Sequence, residues 1–346
     1  MTKPSIKILD CTLRDGGYLV DWNFGKDKIE SILNNLTESG VDFIECGFLK
    51  ELNYSSDKTF FDLISRVEKY VNPAQNYTLM VNFGEYGITN FSKCKNKNIK
   101  IRVAFKKNTQ KEALGYIEQL KHLDWDVFAN PMTTNTYSQA ELSTLIFELN
   151  EIKPYGVSIV DTLGNMYENE VINIFKFIDK NLDPEIAIGI HFHNSMQLAF
   201  SNAKAILKAN KNRTLIIDSC LYGMGRGAGN LCTELITKYL NDNYEGKYKI
   251  SPILNSIETD LKPIYQKNSW GYSAPFYIAA LHGCHPNYAG FLVKEQCSDA
   301  QIDLILSQIP KDKRTTFDSI LISDLLKKII LNNSPCGYCS EVSNNV

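Results

Sequence analysis

The stretch Leu9-Asp10-Cys11-Thr12-Leu13-Arg14-Asp15-Gly16-Gly17-Tyr18 sets a guanidinium beside a carboxylate where a short apolar run ends. Arginine stays charged and presents its donors in a rigid fork, which suits an oxygen that gains negative charge during a reaction. Aspartate is a hard oxygen ligand for a divalent cation. A turn closed by a surface ion pair is the plainer reading of Arg14-Asp15-Gly16-Gly17. Far along the chain, His191-Phe192-His193-Asn194 puts two imidazoles at i and i+2. On a strand those positions share a face, so both can aim at one atom while Phe192 points away. Two satisfied core histidines fit the same spacing. With Asp15 from the opposite wall they make a face of two imidazoles and one carboxylate with open positions. Such mixed donors suit Mn2+, Mg2+, Co2+ or Fe2+ without choosing among them. A third stretch, Gly223-Met224-Gly225-Arg226-Gly227-Ala228-Gly229-Asn230, is a glycine-rich loop. It reads either as a phosphate cradle of backbone N–H groups at a helix start or as a turn that needs positive φ. Asn230 can cap the next helix, or reach the metal or its water.

Positioning these groups is the work of alternating segments. Apolar runs at 6–10, 42–48, 77–83, 100–105, 125–130, 156–161, 186–192 and 214–219 read as strands. Between them Ile29, Ile32, Leu33 and Leu36 fall at i, i+3, i+4 and i+7, one apolar stripe on a helix that stops before Gly40. Leu142, Leu145, Ile146 and Leu149 repeat the pattern, as do Val171, Ile174, Phe175 and Ile178. Segments 57–71, 109–123, 195–209 and 230–241 also read as helices, while 88–95 gives a weak signal. Strict alternation implies parallel pairing with right-handed crossovers. A doubly wound sheet would carry a GxGxxG turn after its first strand; here that turn is Arg-Asp-Gly-Gly. The expected fold class is therefore α/β, a (β/α)8 TIM barrel with an α-helical C-terminal extension. In such barrels chemistry sits at the carboxyl ends of the strands. Arg14 and Asp15 follow the first strand, Glu45 lies near the end of the second, and Asn82 ends the third. Asp161-Thr162 end the sixth, His191 and His193 the seventh, and Asp218 leads from the eighth into the glycine loop. Lys106 and Lys107 follow the fourth strand, where a Schiff-base lysine could stand; their lysine-rich surroundings read better as solvated surface.

Composition narrows the rest. With 44% apolar and 22% charged residues the chain can build a large core, and its net charge of −2 gives no reason to expect nucleic acid or an anionic membrane as partner. No segment reads as a signal peptide or a membrane span. Nine scattered cysteines read as reduced core residues of a cytoplasmic protein. Cys336-Gly-Tyr-Cys339 lacks the second ligand pair a zinc site requires. We expect a catalytic barrel at 1–245, a helical domain or lid at 246–331 and a loose tail at 332–346.

Taken together, Leu9–Tyr18, Ile44-Glu45, His191–Asn194 and Gly223–Asn230 resemble the DRE-TIM metallolyase superfamily over roughly residues 5–240. That group, with its HMG-CoA lyase-like (pyruvate carboxyltransferase) domain, includes 4-hydroxy-2-oxovalerate aldolase, 3-hydroxy-3-methylglutaryl-CoA lyase, 2-isopropylmalate synthase and homocitrate synthase. The glycine loop is most similar to the aldolase branch. The resemblance implies a carbon–carbon lyase, a class II aldolase that forms or cleaves a 4-hydroxy-2-oxo acid through a metal-bound pyruvate enolate. By position it gives the divalent metal, Mn2+ first with Mg2+ or Co2+ as alternatives, to Asp15, His191 and His193, with Asn230 nearby. Arg14 would stabilise the enolate oxygen and Glu45 would orient Arg14. Thr162 and Asn82 would line the oxo-acid site. The aldolases place a histidine a few residues after the Arg-Asp pair, where this chain has Gly17-Tyr18. That leaves Tyr18, Tyr272 or His285 as proton carrier and makes a different acceptor aldehyde the expectation. Pyruvate, an aldehyde and a second copy of the chain are the expected partners. A Claisen-type acyl-CoA condensing enzyme or lyase of the same superfamily, and an inactive barrel acting as a binding subunit, are the alternatives.

Overall fold

The apolar runs form eight parallel strands: β1 (Ile6–Asp10), β2 (Phe43–Leu49), β3 (Asn76–Asn82), β4 (Ile99–Phe105), β5 (Val127–Pro131), β6 (Gly156–Asp161), β7 (Ala187–Phe192) and β8 (Leu215–Ser219). β1 pairs with β8 in the register Ile6↔Leu215 and also with β2, Leu9↔Phe43, so the sheet closes on itself. Every residue of β2, β4, β6 and β7 is buried, because one face fills the barrel interior and the other meets helices. The fold is a TIM barrel, as the alternation implied. The structure is a computed structural model, which describes residues 5–244 and 246–333.

The helices follow their stripes. Lys26–Ser39 buries Ile29, Ile32, Leu33 and Leu36 and ends at Gly40, whose φ of 79° is cheap for glycine alone. Gln139–Ile152 starts from a capping box in which Ser138 and Glu141 satisfy each other's backbone amides. Gln110–His122, Glu168–Asn181, Ala199–Ala209 and Thr233–Asn243 cover further strands. The segment 57–71 departs from its helical reading. Phe60–Phe61 extends the edge of β2, and only Ser65–Glu68 is helical. Tertiary contacts outweigh local propensity there: Thr59 donates from Oγ1 to the Leu13 carbonyl (2.7 Å) and from its amide to Trp22, and Phe61 is buried. Around 88–95 one 3-10 turn, Ile88–Asn90, forms instead of a helix.

The described chain divides into two compact units after Ser273. Helices between Ile250 and Tyr265 belong to the barrel unit, where Ser31 donates to Asp260 (2.9 Å) and Tyr248 to Asp42 (2.8 Å). The second unit is helical: Ala274–Leu281, Pro286–Lys294, Asp299–Ser307 and Ser319–Asn333 enclose a core of their own that includes Tyr288, Leu292, Ile305 and Ile322. Among the described residues no helix is long and apolar enough to cross a membrane. Cys336 and Cys339 lie outside the described residues, as does most of 332–346.

Candidate active site

Immediately after β1 the chain makes one helical turn, Thr12–Asp15, with Arg14 and Asp15 both buried. The Asp10 carboxylate anchors that turn, accepting from the Thr12 amide (3.0 Å) and from Thr233 Oγ1 (2.6 Å). Burial pushes Asp10 up to about 6 despite those bonds. The Trp22 indole donates to the Arg14 carbonyl (2.8 Å) and fills the space over Gly17, where a Cβ would meet Trp22 Cδ1 at 2.1 Å. Arg14 Nε donates to Glu45 Oε2 at 2.7 Å, and Nη1 lies 3.1 Å from Asp15 Oδ1. Its guanidinium sits 5.9 Å from the Phe48 ring centroid. Arg14 is thus held on three sides.

Glu45 also accepts from Arg102 Nη1 (3.2 Å), and Arg102 Nη2 donates to Asp218 Oδ2 (2.5 Å). Asp218 Oδ2 lies 3.0 Å from His191 Nδ1, and His191 Nε2 lies 3.4 Å from Asp15 Oδ2. Arg14, Glu45, Arg102, Asp218, His191 and Asp15 therefore form a closed ring of ionisable groups inside the barrel. All six are nearly or fully buried. In so dry a place a lone charge would be forbidding, and mutual pairing makes these charges tolerable. Burial works against the Asp15 carboxylate, but Arg14 and His191 beside it hold it well below the ordinary carboxylate range. Burial likewise opposes charge on His191, yet its bonds to Asp15 and Asp218 raise it well above 6.5. Burial, helped by the charges of His191, Arg226 and Arg14 and opposed by Asp15, pushes His193 down to about 3, where it stays neutral.

Asp15, His191 and His193 bring one donor atom each within 4.8 Å of one another. His193 Nε2 is 3.8 Å from Asp15 Oδ2. Two donors held by one ion at octahedral angles, with bonds near 2.1 Å, stand about 3 Å apart; the spacings 3.4 and 3.8 Å are within easy reach of that. Asn230 Nδ2 donates to Asp15 Oδ2 (2.7 Å), while Asn230 Oδ1 and His193 Nδ1 are buried without a hydrogen-bond partner. The orphaned Asn230 Oδ1 is an acceptor that a cation or its water would satisfy, and a metal on His193 Nε2 would leave Nδ1 as a donor. The residues fit a divalent metal. A second triple, Cys11–His191–Asp218, is equally close. It is the poorer cradle, because Arg102 already neutralises Asp218 and the Cys11 thiol donates to the Ser219 carbonyl (3.3 Å).

The other expected residues lie at different removes. Thr162 is buried, and its Oγ1 accepts from the Thr133 amide (2.9 Å), holding a residue at φ 50°. Tyr18 is partly exposed on the next turn, its ring 4.6 Å from Trp22 and 6.5 Å from Phe48. Asn82 does not join the ring; its amide turns to the exposed Glu85 (3.3 Å). Asp161 serves its own loop, accepting from the amides of Asn165 and Met166. Lys107 bonds Glu141 (2.6 Å) and the Thr136 carbonyl, and Lys106 is exposed, consistent with solvated surface. Tyr272, at the end of the barrel unit, is 59% exposed. His285 belongs to the second unit, where its Nδ1 caps Pro286–Lys294 by accepting from Asn287 (3.2 Å). Arg102 is the residue that sequence reasoning missed. Its signal was present: a second cation, Lys100, stands two residues before it in an otherwise apolar strand, so both point into the barrel.

Comparison with known proteins identifies the family of the barrel. Residues 5–255 match the family model described as HMGL-like. The 4-hydroxy-2-oxovalerate aldolase of Geobacillus genomosp. 3 is 27% identical over 252 residues, 70% of this chain and 72% of that protein. Among solved structures, the N-terminal domain of a Bacteroides vulgatus protein described as an aldolase is 25% identical with a TM-score of 0.70, covering 83% of this chain and 96% of that one. The HMG-CoA lyase of Bacillus subtilis, 18% identical with a TM-score of 0.60 over 78% of this chain and 96% of its own, shares the fold. With its closed parallel barrel and a family match across residues 5–255, the chain belongs to the HMGL-like family of enzymes.

Proposed function

We propose that this protein is a divalent-metal-dependent carbon–carbon lyase, an aldolase that forms or cleaves a 4-hydroxy-2-oxo acid with pyruvate as the enolate partner. One observation carries the reading: Asp15, His191 and His193 converge within 4.8 Å beside a buried, doubly anchored guanidinium. When bound by Asp15, His191 and His193, a divalent cation supplies Lewis-acid polarisation of the 2-oxo group; we read it as Mn2+ first, then Mg2+ or Co2+. Asn230, bonded to Asp15, positions that carboxylate. Removing a proton from pyruvate, or breaking the C3–C4 bond of the product, places negative charge on the former carbonyl oxygen. Arg14 meets that charge with donors already oriented by Glu45, so no reorganisation is needed as the charge develops. Thr162 Oγ1 spends its acceptor side on the Thr133 amide, which leaves its proton to donate to the oxo-acid carboxylate. Tyr18, one turn past Arg14 and exposed on one side, relays one proton between C3 of pyruvate and the 4-oxygen, in one direction for bond formation and in the other for cleavage. Seven described cysteines, all free, support a cytoplasmic setting.

The test follows the half-reaction that needs no knowledge of the aldehyde. Exchange of pyruvate methyl protons in D2O, followed by NMR, is expected with Mn2+ present and lost on chelation. Undiminished exchange without metal, or none with any divalent ion, would end the proposal.

A further inference from the structure

The loop after β8 carries one charged residue, Arg226, among its glycines. Every other arginine of the chain is spoken for. Arg14 pairs with Asp15 and Glu45, Arg66 with Asp62, Arg102 with Glu45 and Asp218, Arg213 with Asp179 and nearby carbonyls, and Arg314 with carbonyls. Arg226 has no acidic partner among the described residues. Its guanidinium carbon lies 4.7 Å from the Tyr18 ring centroid, and its Nε is shielded from solvent yet bonds nothing. The backbone around it is equally open. The amides of Gly223, Met224, Gly229 and Asn230 donate within the loop, whereas those of Gly225, Arg226, Gly227 and Ala228 donate to no described residue. Gly227 has φ 67°, the left-handed half of the pairings in which successive N–H groups can face one anion. Asn230, which closes the loop, touches Asp15, so these donors stand a few residues from the candidate metal centre.

We infer that Arg226 and the amides of residues 225–228 receive an anionic group on the acceptor, and that this group is a phosphate monoester, making the acceptor a phosphorylated aldehyde. The inference rests on the aldolase reading for what the acceptor is, but not for the anion site itself. A guanidinium fork with four amides offers more donors than a carboxylate's two oxygens can take, whereas a phosphate's three oxygens suit both a bidentate arginine and backbone N–H groups. Tyr18, the proposed proton carrier, is the residue the guanidinium covers, so an anion held at Arg226 keeps its aldehyde end near Tyr18.

Two measurements separate this from the aldolase reading. Inorganic phosphate binding, followed by calorimetry on the full-length protein without added metal, needs no turnover. Wild-type protein should bind it, Arg226→Gln should bind about 10- to 100-fold more weakly, and Arg226→Lys should fall between, with unchanged melting temperatures. In the aldol reaction, the ratio of kcat/KM for glyceraldehyde 3-phosphate to that for glyceraldehyde should drop at least about tenfold in Arg226→Gln. Equal phosphate affinity in wild type and Arg226→Gln overturns the site. Arg226-dependent preference for glyoxylate, with no phosphate binding, overturns the phosphate assignment. If pyruvate exchange fails while phosphate binding depends on Arg226, the aldolase reading falls and the anion site stands.

Discussion

Glu45→Gln is the substitution that tests whether the six buried ionisable groups act as a unit. Glu45 is fully buried and accepts from Arg14 at 2.7 Å and from Arg102 at 3.2 Å. Glutamine keeps the shape, removes the charge and turns an N–H donor toward one of two cations. Both guanidinia retain one carboxylate each, Asp15 for Arg14 and Asp218 for Arg102, so neither is wholly abandoned. Removing one partner of a buried pair costs ~3–5 kcal/mol. Set against a domain stability of about 5–15 kcal/mol, that is a large fraction. With a denaturant slope near 3 kcal/mol per molar urea, the midpoint for the barrel should fall by at least about 1 M. Urea unfolding followed by circular dichroism reads this directly. A double-mutant cycle with Arg102→Met supplies the sharper result, since members of one network couple by about 0.5–3 kcal/mol. Additive losses together with a midpoint shift below about 0.5 M would refute the ring as an energetic unit.

Arg14→Ala should lower turnover by about 10²-fold or more while metal content, read by atomic emission, stays unchanged; a loss under tenfold would remove Arg14 from the reaction. Gly225→Ala should weaken metal affinity by about 10- to 100-fold in a titration, because the new Cβ would meet Asn230 Nδ2 at 2.1 Å and drive that amide off Asp15. Gly47→Ala, at φ 146° with the Thr59 carbonyl oxygen 1.9 Å from the added Cβ, should destabilise the barrel by about 1–3 kcal/mol in the same urea assay. For pH, His191 is raised above 6.5 in the folded, metal-free protein. Its contribution is therefore fully present below pH 6.5 and is lost as pH rises through the folded value. The metal-free melting temperature should show that decline, His191→Asn should flatten it, and metal affinity should strengthen with pH as the imidazole is freed of its proton.

The barrel was legible because its strands are short apolar runs buried on both faces and its helices keep a 3.6-residue stripe. Residues 57–71 were not, since what decides their path is a hydrogen bond from Thr59 to Leu13 and pairing of Phe60–Phe61 with β2, neither of which leaves a periodic trace. Asp15, His191 and His193 could be picked out because metal-ligand types recur at strand ends. Asn82 shared that address but faces Glu85, for strand-end position fixes neither rotamer nor partner. Arg102 lies mid-strand, where a cation in an apolar run looks like an exception until its two carboxylates are seen.

Asp15 is supplied within the first turn after β1, whereas His191, His193 and Asn230 come from the last quarter of the barrel, across the β1–β8 closure. A chain leaving the ribosome therefore holds one of the three proposed cation ligands, Asp15, until synthesis has passed His193. Tight ion capture then requires β1 to have joined β7 and β8, and a circular permutant cut elsewhere in the barrel would complete the proposed ligand set in a different order of synthesis.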